Sequence, residues 1–260
     1  MRVYLLGFLT AFGMLAYSCS SDSGNEPQSE EGTISISLEK SALFSNDGGP
    51  SRALTESTYA NVNNYTVEIV DANGNITSTF QYANAPGGVK LANGNYTLKA
   101  YYGEESTASR DKFLVIGSTA FAVNADDKAI SVNCAPTCGK MVVDFSKDDM
   151  DKYFSDYYVE YKTVALNKEG TTAIWHKADT DPWYMKLQPE GETVEAIIHY
   201  TMKENSNNDS QTLTYNMAPN KSWTMHIAPK DGSGGLSITI TIDESTNDKP
   251  IDIIVPSDWI

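Results

Sequence analysis

Asp179-Thr-Asp181-Pro182-Trp183-Tyr184 is the stretch of this 260-residue chain where carboxylates and aromatic rings crowd together. Carboxylates accept hydroxyl hydrogens and a ring offers a flat apolar face, which is the chemistry of sugar binding. The competing reading is a polar turn that runs into a core-facing tryptophan. A glycan binder needs an exposed, coplanar pair among Trp175, Trp183 and Tyr184, and that feature separates the two. His176, His199 and His226 form no HExxH arrangement, and the chain has neither a Gly-x-Ser-x-Gly elbow nor a phosphate-cradling glycine loop. No catalytic residue is assigned, and the chain is not expected to be an enzyme. Asp148, Asp149 and Asp151 could be taken for metal ligands, but acids in a helical turn begun by Ser146 are favoured by the helix dipole. Asp71, Asn73 and Asn75 open like a calcium loop without its closing glutamate, so they read as a hairpin turn around Asn73-Gly74. Neither a metal nor a cofactor is expected.

The three cysteines divide into one near the N-terminus and a pair, Cys134-Ala-Pro-Thr-Cys138. A disulfide brings Cα atoms within about 7 Å, whereas five extended residues span roughly 13 Å. Cys134 and Cys138 can therefore pair only if Pro136 folds the segment into a turn, and both outcomes stay open. Cys19 closes a different pattern: Arg2, then an apolar run from Val3 to Leu15, too short for a span of roughly 20 residues and suited to a signal peptide. Leu15-Ala16-Tyr17-Ser18-Cys19 resembles a bacterial lipobox, with Tyr17 where a small residue is usual. The resemblance implies that residues 1–18 are removed and that Cys19 carries a lipid holding the protein to a membrane. Residues 19–31 hold no large apolar side chain and cannot offset the entropy of ordering, so they read as a flexible tether. Ser20-Ser21-Asp22 looks like the export signal that sends Bacteroidota lipoproteins to the outer face of the outer membrane.

Nineteen Lys and Arg against 34 Asp and Glu leave a net charge of −15, a field that repels phosphate backbones. Nucleic acid is therefore not an expected partner. The body of the chain alternates apolar and polar residues in short runs: Ile34, Ile36, Leu38; Tyr65, Val67, Ile69; Tyr96, Leu98, Ala100, Tyr102; Tyr157, Val159, Tyr161; Val194, Ala196, Ile198, Tyr200; Leu213, Tyr215, Met217; Trp223, Met225, Ile227; Leu236, Ile238, Ile240, Ile242. Phe113 to Ile116, Ala120 to Val123 and Ala129 to Val132 read as three further short strands, and Ile251 to Val255 with Trp259 as a last one. Period-two alternation punctuated by Gly, Pro and Asn turns predicts an all-β chain of two tandem sandwiches. The expected division is 32–133 and 139–260, with the edge at Cys134.

Several of these pieces, taken in order, resemble the fimbrillin-like two-domain β-sandwich lipoproteins of Bacteroidota, which are related to type V pilins. The match rests on Cys19, Gly32-Thr-Ile-Ser-Ile-Ser-Leu38, Ser51-Arg52-Ala53, Leu91-Ala-Asn-Gly-Asn-Tyr96, Cys134 followed by Met141-Val-Val-Asp-Phe145, and Ile254-Val-Pro-Ser-Asp-Trp259. It implies transthyretin-like or Greek-key sandwiches and a surface-exposed outer-membrane lipoprotein with a structural or adhesive role, as a pilus subunit, anchor or tip. In such pilins a trypsin-like protease cuts after an Arg in the loop behind the first strand. Carried over, the cut falls between Arg52 and Ala53, the strand holding Ile34, Ile36 and Leu38 departs, and a strand of another subunit replaces it. Implied partners are a membrane, other pilin subunits, and a host or glycan ligand. The alternative is a glycan-binding module for nutrient capture.

Overall fold

The computed structural model describes residues 30–40, 44, 54–229 and 236–242. The signal peptide, Cys19, Arg52, Ala53 and the closing stretch from Ile251 to Trp259 lie outside the described residues. The strands are β1 (Glu31–Lys40), β2 (Thr66–Asp71), β3 (Ile76–Gln81), β4 (Val89–Ala92), β5 (Gly94–Gly103), β6 (Ala108–Ser109), β7 (Leu114–Val123) and β8 (Lys128–Pro136). They continue with β9 (Cys138–Phe145), β10 (Phe154–Lys162), β11 (Ala173–His176), β12 (Trp183–Lys186), β13 (Glu192–Met202), β14 (Asn208–Met217), β15 (Ser222–Pro229) and β16 (Leu236–Ile242). Among the described residues three short α-helices, α1 (Leu54–Ala60), α2 (Lys147–Tyr153) and α3 (Val164–Glu169), interrupt them. The chain is all-β, as its alternation predicts.

Among the described residues the strands form three sheets, ordered β3-β2-β5-β7-β8-β1-β4, β11-β10-β13-β14 and β16-β15-β9-β12-β6. In the first, β8 changes partner along its length: Lys128 to Cys134 face β1, while Ala135 and Pro136 pair with β7. The inward side chains of this sheet, including Ile34, Val67, Ile69, Leu98, Ala100, Val115 and Val132, form one buried cluster. A second cluster lies among residues of β9 to β15, with Met141, Tyr157, Val159, Tyr161, Trp175, Val194, Ile198, Leu213 and Met225 at its centre. Cys138 and Tyr184 belong to the first cluster although they stand late in the chain, so the two cores meet at β9 and β12.

Local chemistry explains several elements. Between β2 and β3, Asp71 Oδ1 accepts the N–H groups of Asn73 and Asn75 at 2.9 and 2.8 Å, and Oδ2 accepts the Asn75 amide at 3.0 Å. Those donors, the Asn75 amide foremost, hold the Asp71 carboxyl below its usual range, and Gly74 supplies φ of +86°. The expected hairpin is formed. Two expectations are corrected. Phe113 to Ile116 and Ala120 to Val123 are not separate strands, because β7 runs unbroken from Leu114 to Val123. Gly117 permits this: a Cβ there would stand 2.3 Å from the Asn133 carbonyl oxygen of β8. Ser146 begins α2 without a side-chain cap; its carbonyl instead accepts from the N–H groups of Asp149 and Met150. The acids Asp148 and Asp149 do occupy the first turn.

Strand β8 also continues through Cys134 to Pro136, two residues beyond the expected edge. The strand β16 pairs antiparallel with β15, placing Ile240 opposite Met225.

Candidate functional site

The first strand is held on two sides. β1 runs parallel to β8 from the Ile34–Lys128 pair to the Lys40–Cys134 pair, and antiparallel to β4 only over Glu31 to Ile34. The period of two sends Ile34, Ile36 and Leu38 to one face as expected, and Ser35 and Ser37 to solvent. Ile34, flanked by both neighbours, is fully buried; Ile36 and Leu38, beyond the reach of β4, are half-buried. The Leu38 N–H points instead at the Tyr82 hydroxyl, 3.4 Å away.

Beyond β1, Phe44 belongs to the first core, beside β12. Phe44 is fully buried between Phe113, with ring centroids 5.3 Å apart and planes at 72°, and Tyr184, at 5.6 Å and 39°. Its N–H donates to Asn220 Oδ1 at 3.2 Å, and the Asn220 N–H in turn donates to the Cys138 carbonyl at 2.8 Å. Phe44 has φ of +45°, a left-handed conformation unusual for a bulky residue. Beside it, Tyr59 of α1 stacks on Phe113 at 3.9 Å, and its hydroxyl accepts the Phe113 N–H at 3.2 Å. One turn earlier in α1, Glu56 reaches the buried Lys140 of β9 at 2.9 Å. The Tyr184 hydroxyl donates to the same Glu56 oxygen at 2.6 Å. A carboxylate so placed satisfies a lysine that would be costly to bury alone. Residues of α1, β9 and β12, with Phe113 just before β7, thus converge around Phe44 and Glu56.

The acidic and aromatic cluster is arranged for a different purpose from sugar binding. Trp183 and Tyr184 are consecutive in β12, so their side chains point to opposite faces and cannot form one platform. Tyr184 is 1% exposed and joins the first core, and Trp175 is 1% exposed in the second. Trp183 is half-buried and lies under Arg110, whose guanidinium carbon is 4.3 Å from its ring centroid and 5.2 Å from that of Trp175. Arg110 also binds Asp179 Oδ2 at 2.5 Å, the Ile174 carbonyl at 3.0 Å and the Asp181 carbonyl. Asp179 Oδ2 accepts the His176 N–H at 2.9 Å, and Trp183 Nε1 donates to the Ile174 carbonyl at 3.0 Å. Asp179 and the main chain at Asp181 are spent on seating an arginine, and the exposed coplanar pair that sugar binding required is not formed among Trp175, Trp183 and Tyr184.

Cys134 and Cys138 are both buried thiols rather than a disulfide. The reason is the extended path: Pro136 pairs with Val115 and the Thr137 N–H donates to the Leu114 carbonyl, so no turn brings the sulfurs together. Burial pushes the Cys134 thiol up to about 11 and the Cys138 thiol up as well. Sequence reading missed α1, the Arg110 seat and the Glu56–Lys140 pair. Lys140 alone left a signal, as a charge inside the run Cys138-Gly-Lys-Met-Val142.

Solved structures similar to this chain include a fimbrial assembly protein from Parabacteroides distasonis, at 11% identity, covering 86% of this chain and 98% of that one with a TM-score of 0.38. A candidate cell adhesion protein from Bacteroides eggerthii matches at 9% identity, covering 82% and 95%, with a TM-score of 0.41. A candidate polysaccharide-binding protein from Bacteroides thetaiotaomicron matches at 10% identity, covering 84% and 99%, also at 0.41. No curated protein matches the sequence. Residues 30–257 match the family model described as "Domain of unknown function (DUF4493)", and the chain belongs to that family.

Proposed function

We propose that this chain is a surface-anchored structural and adhesive protein whose first strand can be exchanged for a strand of another subunit. The observation that carries the reading is the seat of β1, which lies parallel to β8 with its apolar side chains inward and only four residues paired to β4. A peptide of the same alternation, taking its place, would preserve both the backbone ladder and the apolar burial. Arg52 falls in sequence between Phe44 and α1. A cut there separates β1 and Phe44 from Glu56 and Tyr59, which stay behind with the body of the protein. The likeness of the sequence to fimbrillin-like lipoproteins supports the same assignment, including a lipid on Cys19 and exposure on the outer membrane. Each buried CH₂ of such a lipid contributes about 0.8 kcal/mol, so several acyl chains hold firmly. No observation favours the nutrient-capture alternative.

An Arg-specific protease applied to folded, lipid-free protein is the test. The expected result is a cut after Arg52 followed by ladders of SDS-resistant oligomers. If Arg52 is cut and the protein stays monomeric with residues 33–38 bound, strand exchange is wrong and a free-standing surface adhesin takes its place. Anchoring is tested apart from this: Cys19→Ala should leave a soluble or signal-bearing product, and a processed variant that still partitions with membranes refutes the lipid.

A further inference from the structure

We infer that the space filled by Phe44 is an aromatic-accepting specificity pocket for any peptide that occupies the first-strand groove. The inference rests on the strand-exchange reading and adds the chemistry the incoming chain must bring: an apolar residue at the Ile34 position and, ten residues on, an aromatic ring.

Three independent observations carry it. The first is composition of the walls. The Phe44 and Phe113 rings meet edge to face, Tyr184 lies tilted against Phe44, and Tyr59 stacks on Phe113. Aromatic pairs at such distances and angles add stabilisation beyond the area they bury, so a ring is preferred there over an aliphatic chain of similar size. The second is a backbone anchor. Asn220 Oδ1 receives the Phe44 N–H, and Asn220 is itself fixed to Cys138, so the pocket reads main chain as well as side chain. The third is strain. A phenylalanine at φ of +45° is held in a conformation it does not choose by itself, and such outliers persist only where the surroundings over-determine them. The ring is gripped strongly enough to offset that strain.

The pocket has walls from both parts of the chain: Phe113 precedes β7, while Tyr184 lies in β12 and Asn220 just before β15. An occupant therefore ties the late strand β12 to the first core as well as filling the groove. When the first strand leaves, this contact is lost at the same moment as the β8 ladder, and a donor lacking the ring restores only the ladder.

The test uses lipid-free protein cut after Arg52 and stripped of its leading fragment, titrated with labelled synthetic peptides of residues 31–52. The native peptide should bind tightest, the Phe44→Leu peptide more weakly, and the Phe44→Ala peptide at least about tenfold more weakly. Amide hydrogen exchange at Phe113 and at Tyr184 should slow together when the native peptide binds, whereas the Phe44→Ala peptide should protect β8 alone. A Phe44→Ala peptide that binds within about twofold of native and protects both sites overturns the pocket while leaving strand exchange intact. If the strand cannot be removed, or no peptide rebinds, strand exchange itself fails. The intact Phe44→Ala and Phe44→Leu variants then decide the pocket: faster exchange at Tyr184 and Phe113 together keeps it, and a change confined to Phe113 overturns it.

Discussion

The strands β1 and β9 have neighbours of the same kind in their respective sheets, β1 next to the edge of its sheet and β9 in the middle of its own, and are buried differently. Each pairs antiparallel with a short neighbour over four positions near its N-terminal end, β1 with β4 and β9 with β12. Each then runs parallel to a long late strand, β8 or β15. In β9 the first four residues, Cys138 to Met141, are all buried and Lys140 is clamped by Glu56; in β1, of residues 31–39, only Gly32 and Ile34 are buried and the serines face solvent. The same pairing pattern therefore yields a strand built into the core and a strand laid upon it. Covalent position adds to the contrast, since Arg52 falls in sequence between β1 and α1. What separates the two strands is burial along their length, not their pairing pattern.

Removing the clamp should have the largest effect. Lys140→Ala leaves the Glu56 carboxylate in a nearly buried site and is expected to cost about 3–5 kcal/mol by urea denaturation. Next in size, Met141→Ala in β9 and Ile34→Ala in β1 should each cost about 2–5 kcal/mol, both being fully buried. Ile36→Ala should fall below about 1.5 kcal/mol, because that side chain is half-exposed already. If Ile36→Ala costs as much as Met141→Ala, β1 is as deeply seated as β9 and the contrast fails.

Alkaline titration probes the same two strands through their thiols, Cys134 opposite the end of β1 and Cys138 at the start of β9. Burial raises the Cys134 thiol from 9.0 to about 11, so between those values the unfolded chain has lost a proton that the folded chain keeps. The contribution is whole below about pH 9 and is lost as pH climbs toward 11. Stability measured from pH 8 to pH 11 should fall less steeply in Cys134→Ala than in the native chain, and equal slopes would refute the assignment. The smallest expected effect is at Arg110, which is partly exposed. Arg110→Ala should cost about 1 kcal/mol while leaving the Lys140 site unchanged in hydrogen exchange.

The strands were legible in the sequence because half-buried sheets impose period two: Tyr157, Val159 and Tyr161 alternate in the chain and are all buried in β10. The turn at Asp71 to Asn75 was legible because every donor and acceptor in it is local. Pairing was not. Nothing in Ile34 to Leu38 says that its partner is β8 and that the two run parallel, since the choice is made by strands far apart in the chain. The acid and ring cluster misled for a related reason. Asp179 and Trp183 look like a site until Arg110, supplied by the chain just past β6, neutralises the one and covers the other. Lys140 showed itself as an anomaly, but its partner Glu56 lies in α1, whose residues carry no strong helical pattern. Of the first-strand site, the apolar face was readable and the surroundings of Phe44 were not.

Parallel pairing of β1 with β8 also sets how the molecule responds to being pulled. Tension applied between the beginning of β1 and chain beyond β8 drives the two strands past one another lengthwise, so the rungs from Ile34 to Lys40 share the load instead of opening in succession like a peeled hairpin. The β9 and β15 pair repeats that shear arrangement further along. Under flow or traction the lifetime of the fold is then governed by the rate of rupture of these two parallel seams rather than by equilibrium stability.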